Sequence, residues 1–302
     1  MIFVAFLINL SPICRLRQFG ENPIRRVSAP ILDGRSWVSA MNDEIAQTQA
    51  SFAANVPNVD VSVRFRSDSG EFVDTTLHQM PIDEVLSGHP VREFRWWKGK
   101  RHYSGWYWSS TTGRHVIYES RLELARILLA DQDRNVVAIA AQPFLLEGVD
   151  GGFVRRHVPD LLLAHADGGY TVVDVKAATR VSDSKVVAQF AWTRNFCETH
   201  GFGFEVWTGC HPVLLSNVRF LAGYRRPVTI DLELADAVMG AASEPVELGV
   251  LERSLARSGP PLVIRPVILH LLWRSWLSAD LERNLSGATV VTAAPMSVGV
   301  VA

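Results

Sequence analysis

The sequence predicts a mixed α/β fold in which a sheet is flanked by helices and followed by a smaller, mostly helical region. Residues 59–80 and 153–180 alternate apolar and polar side chains around glycine-containing turns, a pattern typical of β-hairpins. Residues 116–133 carry an apolar stripe without internal glycine or proline, and residues 182–202 run from an N-cap to a glycine stop. Both segments therefore predict helices. Residues 211–302 contain three further helical stretches separated by prolines.

Length and composition limit the class of protein. A chain of 302 residues suggests about two domains. Three cysteines exclude a disulfide scaffold and indicate a reducing, cytoplasmic environment. The 30 basic and 31 acidic residues exclude a protein that binds nucleic acid through an overall excess of positive charge, so any DNA contact must come from a local patch. No stretch reaches the ~18 consecutive apolar residues of a membrane span, so we expect no membrane contact.

The chain is predicted to divide into four parts. In residues 1–40 the positive charges follow an apolar run instead of preceding it, which disfavours a secretory signal. Met41 opens a polar stretch that resembles a natural beginning, so we expect residues 1–40 to be a leader or an over-extended start outside the fold. Residues 41–90 form an N-terminal extension that contains the first hairpin and a short helix at 81–90. Residues 91–210 form the core, and residues 211–302 form the helical C-terminal domain.

The core opens with basic residues interleaved with aromatic side chains, at residues 91–115. This pattern suits nucleic acid, because cations contact phosphates and aromatic rings stack on bases. A pair of aromatic strands with charged outer faces is the alternative. The predicted helix at 116–133 follows, with Glu119 at its beginning. After it comes an apolar strand at 136–148 that is broken or bent at Pro143. The candidate DNA-binding residues are Arg92, Arg95, Lys98, Lys100 and Arg101.

The second hairpin carries the charged residues that point to chemistry. Residues two apart in a strand share a face, so Asp174 and Lys176 point the same way. Asp160, on the preceding strand, can meet them only if the residue numbers of two directly opposed residues add up to an even number. That register requires a three-residue loop or a bulge at the Asp-Gly-Gly turn (167–169), and glycines that adopt positive φ make such a turn easy.

Paired carboxylates on otherwise apolar strands repel each other, and a divalent cation removes that repulsion by taking oxygen ligands from both. A neighbouring lysine orients or deprotonates a water, or stabilises charge that develops on a phosphoryl oxygen. Glu119 would supply a further carboxylate from the preceding helix. This is the chemistry of metal-assisted phosphodiester hydrolysis. The alternative is a surface salt bridge between Lys176 and Asp160 or Asp174.

Four runs of the chain resemble the TnsA-like endonuclease subunits of heteromeric transposases, of actinobacterial type, within the PD-(D/E)xK nuclease superfamily. The runs are FRWWKGKRHYSGWYWSSTTGRHVIYESRLELARILLADQD, VVAIAAQPFLLEG, RRHVPDLLL and YTVVDVKA. The resemblance covers about residues 59–225 and is densest over 91–176. It implies a restriction-endonuclease-like fold and Mg²⁺-dependent nicking of DNA at the 5′ ends of a transposon, with Mn²⁺ as a substitute. It also implies two partners, a DDE transposase that cuts and joins the 3′ ends and an AAA+ ATPase that regulates the complex.

Carried over position by position, the resemblance implies roles for individual side chains. Glu119, Asp160 and Asp174 match the acidic metal-binding positions, and Lys176 matches the catalytic lysine. Gln142 and Gln189 are weaker candidates for positioning backbone or water, and the alternative for each is a structural amide. His157 is a weaker candidate for contacting a phosphate, and its alternative is an exposed strand-end histidine.

The resemblance further implies that residues 211–302 form a winged-helix-like domain that contacts partner subunits. Two other functions remain open from the sequence. One is a stand-alone PD-(D/E)xK nuclease in restriction or repair, which would cut without partners. The other is an assembly module that binds DNA or partners with weak or no catalysis.

Overall fold

The computed structural model describes residues 61–92, 103–227 and 230–294, which belong to one compact unit, Ala53–Ala302. The described residues have the predicted mixed α/β architecture. None of their helices is long and apolar enough to cross a membrane. The predictions for residues 1–40, and for the part of the extension before residue 61, lie outside the described residues.

Seven helices and thirteen strands are found in the described part of the chain. The helices are α1 (Ile82–Ser87), α2 (Arg121–Gln132), α3 (Ser184–Thr199), α4 (Pro212–Leu221), α5 (Leu232–Ala241), α6 (Leu248–Ser254) and α7 (Pro261–Trp273). The strands are β1 (Ser62–Arg66), β2 (Phe72–Thr76), β3 (Gly105–Trp108), β4 (His115–Tyr118), β5 (Val136–Ala141), β6 (Phe144–Asp150), β7 (Phe153–His157), β8 (Leu161–His165), β9 (Tyr170–Val175), β10 (Gly203–Trp207), β11 (Val246–Glu247), β12 (Leu277–Ala279) and β13 (Val290–Ala293).

The first sheet has the strand order β2-β1-β6-β7, and all of its pairs are antiparallel. Its β1–β2 hairpin confirms the alternation predicted from the sequence, because Val63 and Phe65 are fully buried while their strand neighbours are more exposed. The short helix α1 follows this hairpin. It is bounded by Pro81 and Gly88, which confirms the predicted helix between the prolines.

The start of the long helix corrects the sequence prediction. Residues 116–118 are not helical; they belong to β4, which pairs antiparallel with β3. The helix begins at Arg121 because the side chain of Ser120 accepts a hydrogen bond from the Glu123 backbone N–H, the geometry of an N-cap. Glu119 therefore precedes helix α2 instead of lying in its first turn.

The apolar segment 136–148 is broken next to Pro143, which is one of the two possibilities predicted from the sequence. It forms two strands, β5 and β6, which belong to different sheets. The chain crosses between the sheets at Gln142 and Pro143. Gln142 has a positive φ of 47°, and Pro143 has no backbone N–H to donate to a ladder, so a continuous strand cannot pass through this point.

The second sheet has the order β10-β9-β8-β5 and is mixed, since β10 runs parallel to β9 while the other pairs are antiparallel. The β8–β9 register places Leu161 opposite Val173, so the residue numbers of opposed residues add up to an even number. The backbone N–H of His165 donates to the carbonyl of Gly169 at 2.9 Å, which closes a three-residue loop. Of the two turns that would let Asp160 meet Asp174, the structure has the three-residue loop.

Helix α3 connects β9 to β10 and confirms the predicted helix between them. Asp183 is its N-cap, since its carboxylate accepts a hydrogen bond from the Lys185 backbone N–H. Gly201, with φ of 78°, follows the end of the helix, where the left-handed conformation favours glycine.

The C-terminal region differs in detail from its prediction. The predicted stretches at 217–224, 246–257 and 265–282 correspond only in part to α4, α6 and α7, and α5, which begins after the N-cap Asp231, was missed. Residues 277–279 form β12 because α7 ends at Trp273. Strands β11, β13 and β12 make a small antiparallel sheet in that order.

The second sheet is a central layer with a hydrophobic core on each face. One face packs on α2 and on the C-terminal helices, through side chains such as Leu163, Ile127 and Trp273. The other packs on the first sheet and α3, through side chains such as Leu162 and Phe144. The core thus continues across residue 210, and the proposed four-part division of the chain stays a prediction.

Candidate active site

Three polar side chains lie in one row at the end of the second sheet. Strand β8 pairs with β5 on one side and with β9 on the other. Continued by one residue, the two registers put Gln142, Asp160 and Asp174 opposite one another. The backbone N–H of Gln142 donates to the carbonyl of Asp160 at 2.9 Å, which continues the β5–β8 pairing to this row.

Asp160 is a half-buried carboxyl among acidic neighbours. Burial is the largest cause that raises its pKa to about 7, and the charges of Glu123 and Asp174 raise it further. The Val175 backbone N–H, which donates to Oδ2 at 2.6 Å, and the nearby His157 lower it. Near neutral pH this carboxyl therefore exchanges its proton readily, and added positive charge favours its ionised form.

Asp174 is buried and paired with a histidine from the other sheet. Nε2 of His157, the last residue of β7, lies 2.9 and 2.8 Å from the two carboxylate oxygens of Asp174. Because an ionised carboxylate only accepts hydrogen bonds, Nε2 is the donor. His157 was predicted as an exposed strand-end residue or a phosphate contact. The structure places it half-buried against Asp174.

Lys176 follows β9 directly, and its backbone N–H donates to the carbonyl of Trp207 at 2.9 Å. Its side chain is half-exposed. Within the described ranges no carboxylate forms a salt bridge with it, and Asp174 pairs with His157 instead. The alternative of a structural salt bridge from Lys176 to Asp160 or Asp174 is therefore not observed, and the ammonium group remains available to a ligand.

The structure brings a glutamate to the site that the sequence analysis did not identify. Glu123, in the first turn of α2, acts electrostatically on Asp160, whereas Glu119 acts on Glu123. The Glu119 backbone N–H donates to Glu123 Oε2 at 2.8 Å, and the Ser120 hydroxyl donates to Oε1 at 2.9 Å. The Ser120-x-x-Glu123 spacing, a capping-box pattern, is the sequence signal that could have indicated this residue.

Glu123 is an acid whose surroundings favour its protonated form. Burial is the main cause that raises the pKa of Glu123, and the charge of Glu119 adds to it. The hydrogen bonds from Glu119 and Ser120 and the positive charge of Arg92 lower it. Arg92, a predicted DNA-binding residue, therefore lies near enough to act on the acidic site. The metal-ligand role assigned to Glu119 stays a prediction.

The predicted basic and aromatic segment is described only in part. Of its candidate DNA-binding residues, only Arg92 falls within the described ranges. In the β3–β4 pair Tyr107 is buried against the core, while Trp106 on the opposite strand face is exposed. The alternative of an aromatic strand pair is thus correct for the inner face. On the other face Trp106 is exposed, while Ile117, its partner on β4, is buried. The remaining candidates outside the described residues are Arg95, Lys98, Lys100 and Arg101.

Two glutamine side chains near the site have buried atoms without partners. Gln142 is 3% exposed, and its Oε1 accepts no hydrogen bond from the described residues. Nε2 of the half-buried Gln189, on α3, likewise has no described acceptor. A buried amide atom left unpaired costs about 1–3 kcal/mol. Together with the positive φ of Gln142, this makes Gln142 the stronger of the two candidates for positioning water or a ligand.

The oxygen atoms at this site are of the chemical type that binds magnesium ions. Asp160, Asp174 and Glu123 offer hard carboxylate oxygens. Burial is the main cause of the raised pKa of Asp160, and repulsion from Glu123 and Asp174 contributes to it. Within the described part of the chain, no three His, Cys, Asp or Glu side chains are already arranged to hold a metal ion. Joint coordination of one ion by these carboxylates would therefore require a change in their side-chain positions.

Comparison of the chain with protein-family models and with curated protein sequences finds no match. Its function is therefore inferred from its own residues.

Proposed function

We propose that this protein is a metal-dependent DNA endonuclease that hydrolyses phosphodiester bonds at the end of the second sheet. The observation that supports the proposal most strongly is that two carboxyl groups, those of Asp174 and Glu123, act electrostatically on Asp160. The β8–β9 register, continued by one residue, puts Asp160 opposite Asp174, and Glu123 belongs to helix α2. Lys176, two residues after Asp174, adds a cation without a described carboxylate partner.

In this proposal the acidic side chains hold Mg²⁺ or Mn²⁺, with Asp160 and Asp174 as the central ligands and Glu123 or Glu119 as the third. When bound, a divalent cation supplies Lewis-acid polarisation of the phosphate and activation of water. Its positive charge also relieves the carboxylate repulsion that raises the pKa of Asp160. Metal binding and protonation of Asp160 thus compete.

The chain's own groups position the reactants. Lys176 orients the attacking water and stabilises charge on the phosphoryl oxygens. Arg92, beside Glu123, contacts the DNA backbone. Water adds to phosphorus in line with the bond to the 3′ oxygen, that bond breaks, and the oxygen takes up a proton. The products are a 3′-hydroxyl and a 5′-phosphate.

The biological setting proposed here is cut-and-paste transposition, with cleavage at the 5′ ends of the transposon. The supporting observation is the resemblance of residues 91–176 to TnsA-like subunits, which implies a restriction-endonuclease-like core, a DDE transposase partner and an AAA+ ATPase regulator. The C-terminal region combines helices with a three-stranded antiparallel sheet, the kinds of element that a winged-helix-like domain contains. We propose that it contacts those partners.

A nicking assay tests the proposed function. The full chain is incubated with transposon-end DNA and Mg²⁺, with and without the transposase of the same element. Lys176→Ala should lower the cleavage rate about 10²- to 10⁴-fold, the usual contribution of a positioned proton-transfer group. The matched control is Lys185→Ala, which removes an exposed lysine from the N-terminus of α3.

The outcomes separate the candidate functions. Cleavage that requires the transposase and is lost only in Lys176→Ala supports the transposon subunit. Cleavage by the protein alone, with the same sensitivity to Lys176→Ala, supports a stand-alone nuclease. DNA binding without cleavage under any condition, or equal cleavage by wild type and Lys176→Ala, contradicts the proposed active site.

A further inference from the structure

A large aromatic side chain is exposed on one face of the β3–β4 hairpin. Trp106 is 69% exposed, whereas Tyr107, the next residue along the strand, is buried. Tyr103, which precedes β3, is 61% exposed. Alternate residues in a strand face opposite sides, so Tyr107 anchors the inner face while Trp106 points outward. Tryptophan is usually well buried, and an exposed ring of this size commonly serves recognition.

Positively charged side chains surround these rings. The guanidinium of Arg121 lies 4.9 Å from the centre of the Tyr103 ring, and that of Arg226 lies 5.1 Å from the Trp108 ring. The His115 ring meets the edge of Trp106, with 6.5 Å between ring centres. In the β3–β4 pairing Trp108 lies opposite His115 and shares a face with Trp106. We call Trp106, Trp108 and His115, together with Arg226 beside the Trp108 ring, the Trp106 surface.

The arginines beside the exposed rings differ from those of the first sheet in whether a carboxylate pairs with them. Three exposed or half-exposed arginines of the first sheet pair with carboxylates of the same sheet, which neutralises them; they are Arg64, Arg155 and Arg156. Among the described residues no carboxylate forms a salt bridge with Arg121 or Arg226. Unneutralised positive charge therefore collects beside the exposed rings.

The Trp106 surface adjoins the candidate active site. Strand β4 ends at Tyr118, directly before Glu119. Arg121 is the first residue of α2, and two residues later the same helix carries Glu123, whose charge acts on Asp160. A strand of DNA whose phosphate reached Asp160 would therefore have its neighbouring nucleotides within reach of this surface.

We propose that the Trp106 surface binds unpaired nucleotides of the DNA strand at the cleavage site. The ligand must combine flat aromatic faces, which stack on Trp106, with negative charge, which the exposed Arg226 attracts. Nucleotides have both properties. Bases inside a duplex stack on each other, so only unpaired bases present a free face to Trp106. The location beside a cleavage site rests on the proposed function, but the binding itself requires no chemistry.

Fluorescence anisotropy with labelled DNA tests the proposal. The full chain is titrated in EDTA with a single-stranded oligothymidylate and, separately, with a blunt duplex of equal length. Trp106→Ala should weaken single-strand binding about 5- to 150-fold, the range for loss of one stacked base, and should leave duplex binding unchanged. Trp106→Phe, which retains a ring, should keep most of the affinity and shows that the site still folds.

Trp276 provides the matched control. It is 44% exposed, and the guanidinium of Arg274 lies 5.6 Å from its ring, but it belongs to the segment between α7 and β12. Trp276→Ala should leave single-strand binding unchanged. Unchanged single-strand binding in Trp106→Ala overturns the proposal. Equal loss for single strand and duplex also overturns it, because that result indicates backbone contact without stacking, and so does an equal loss in Trp276→Ala.

Failure of this inference is distinguishable from failure of the proposed function. Because the titration is done in EDTA, it does not depend on cleavage. Selective loss of single-strand binding in Trp106→Ala, together with no cleavage in Mg²⁺, supports the surface and contradicts the endonuclease. Cleavage with unchanged binding by Trp106→Ala supports the endonuclease and contradicts the surface.

Discussion

Replacement of Asp160 by asparagine should stabilise the metal-free protein, and more so as pH rises. The folded state raises the pKa of Asp160 from the ordinary value of 3.8 to about 7, so the folded protein binds this proton more tightly than the unfolded chain does. Stability therefore falls as pH increases from about 4 to about 7. The difference in pKa corresponds to roughly 4 kcal/mol, and we expect roughly 2–4 kcal/mol because the carboxyl is only half-buried.

Urea unfolding in EDTA at pH 5 and pH 8 measures this effect. Asp160→Asn should be more stable than wild type by roughly 2–4 kcal/mol at pH 8, with a smaller difference at pH 5. Its amide oxygen can still accept the hydrogen bond from the Val175 N–H. The matched control, Asp167→Asn, changes an exposed aspartate whose Oδ1 accepts the Gly169 N–H at 2.9 Å, and it should behave as wild type.

Added Mg²⁺ extends the same experiment. At pH 8 it should raise the stability of the wild type, since a ligand that binds the folded state stabilises by mass action. It should have little effect on Asp160→Asn. The reasoning is refuted if Asp160→Asn is less stable than wild type at pH 8, or if the two proteins have the same dependence on pH.

Two further predictions concern groups away from the site. The buried carboxylate of Asp131 accepts hydrogen bonds from five donors, of which the nearest is the Tyr107 hydroxyl at 2.6 Å. Because Asp131→Ala leaves these donors without their acceptor, it should lower the free energy of unfolding, measured by urea titration, by at least ~3 kcal/mol. The exposed control Asp133→Ala should cost less than about 1 kcal/mol, and equal losses would contradict this account. Burial raises the pKa of the Cys197 thiol to about 12, whereas Cys210 is half-exposed. Maleimide should therefore label Cys210 well before Cys197 in the folded protein at pH 8, as measured by peptide mass spectrometry. Faster labelling of Cys197 would indicate that it is not buried.

The β8–β9 hairpin shows how much of the site could be predicted from sequence. Strand alternation showed that Asp160 can meet Asp174 only if the turn is a three-residue loop or contains a bulge. The structure has the three-residue loop, closed between His165 and Gly169. This register depends only on residues close together in the chain, and local patterns contain that information.

The remaining features depend on contacts between distant segments. Helix α2 starts at Arg121 because residues 115–118 pair with β3, and this pairing replaces Glu119 by Glu123 in the first helical turn. His157 reaches Asp174 from another sheet, and no local pattern predicts that approach. The apolar run at 136–148 divides between two sheets at Gln142, a backbone conformation that residue type alone does not indicate.

The central claim is that the row of Gln142, Asp160 and Asp174 forms a metal-dependent nuclease site. A titration with Mg²⁺, in which cleavage of end-labelled DNA is measured, tests this claim most directly. The full chain, supplied with its transposase, is compared with Asp160→Ala. We predict no cleavage in EDTA, a rate that saturates with Mg²⁺, products with 3′-hydroxyl ends that a polymerase extends, and loss of cleavage in Asp160→Ala. Cleavage in EDTA, or equal rates for Asp160→Ala and wild type at saturating Mg²⁺, would contradict the account.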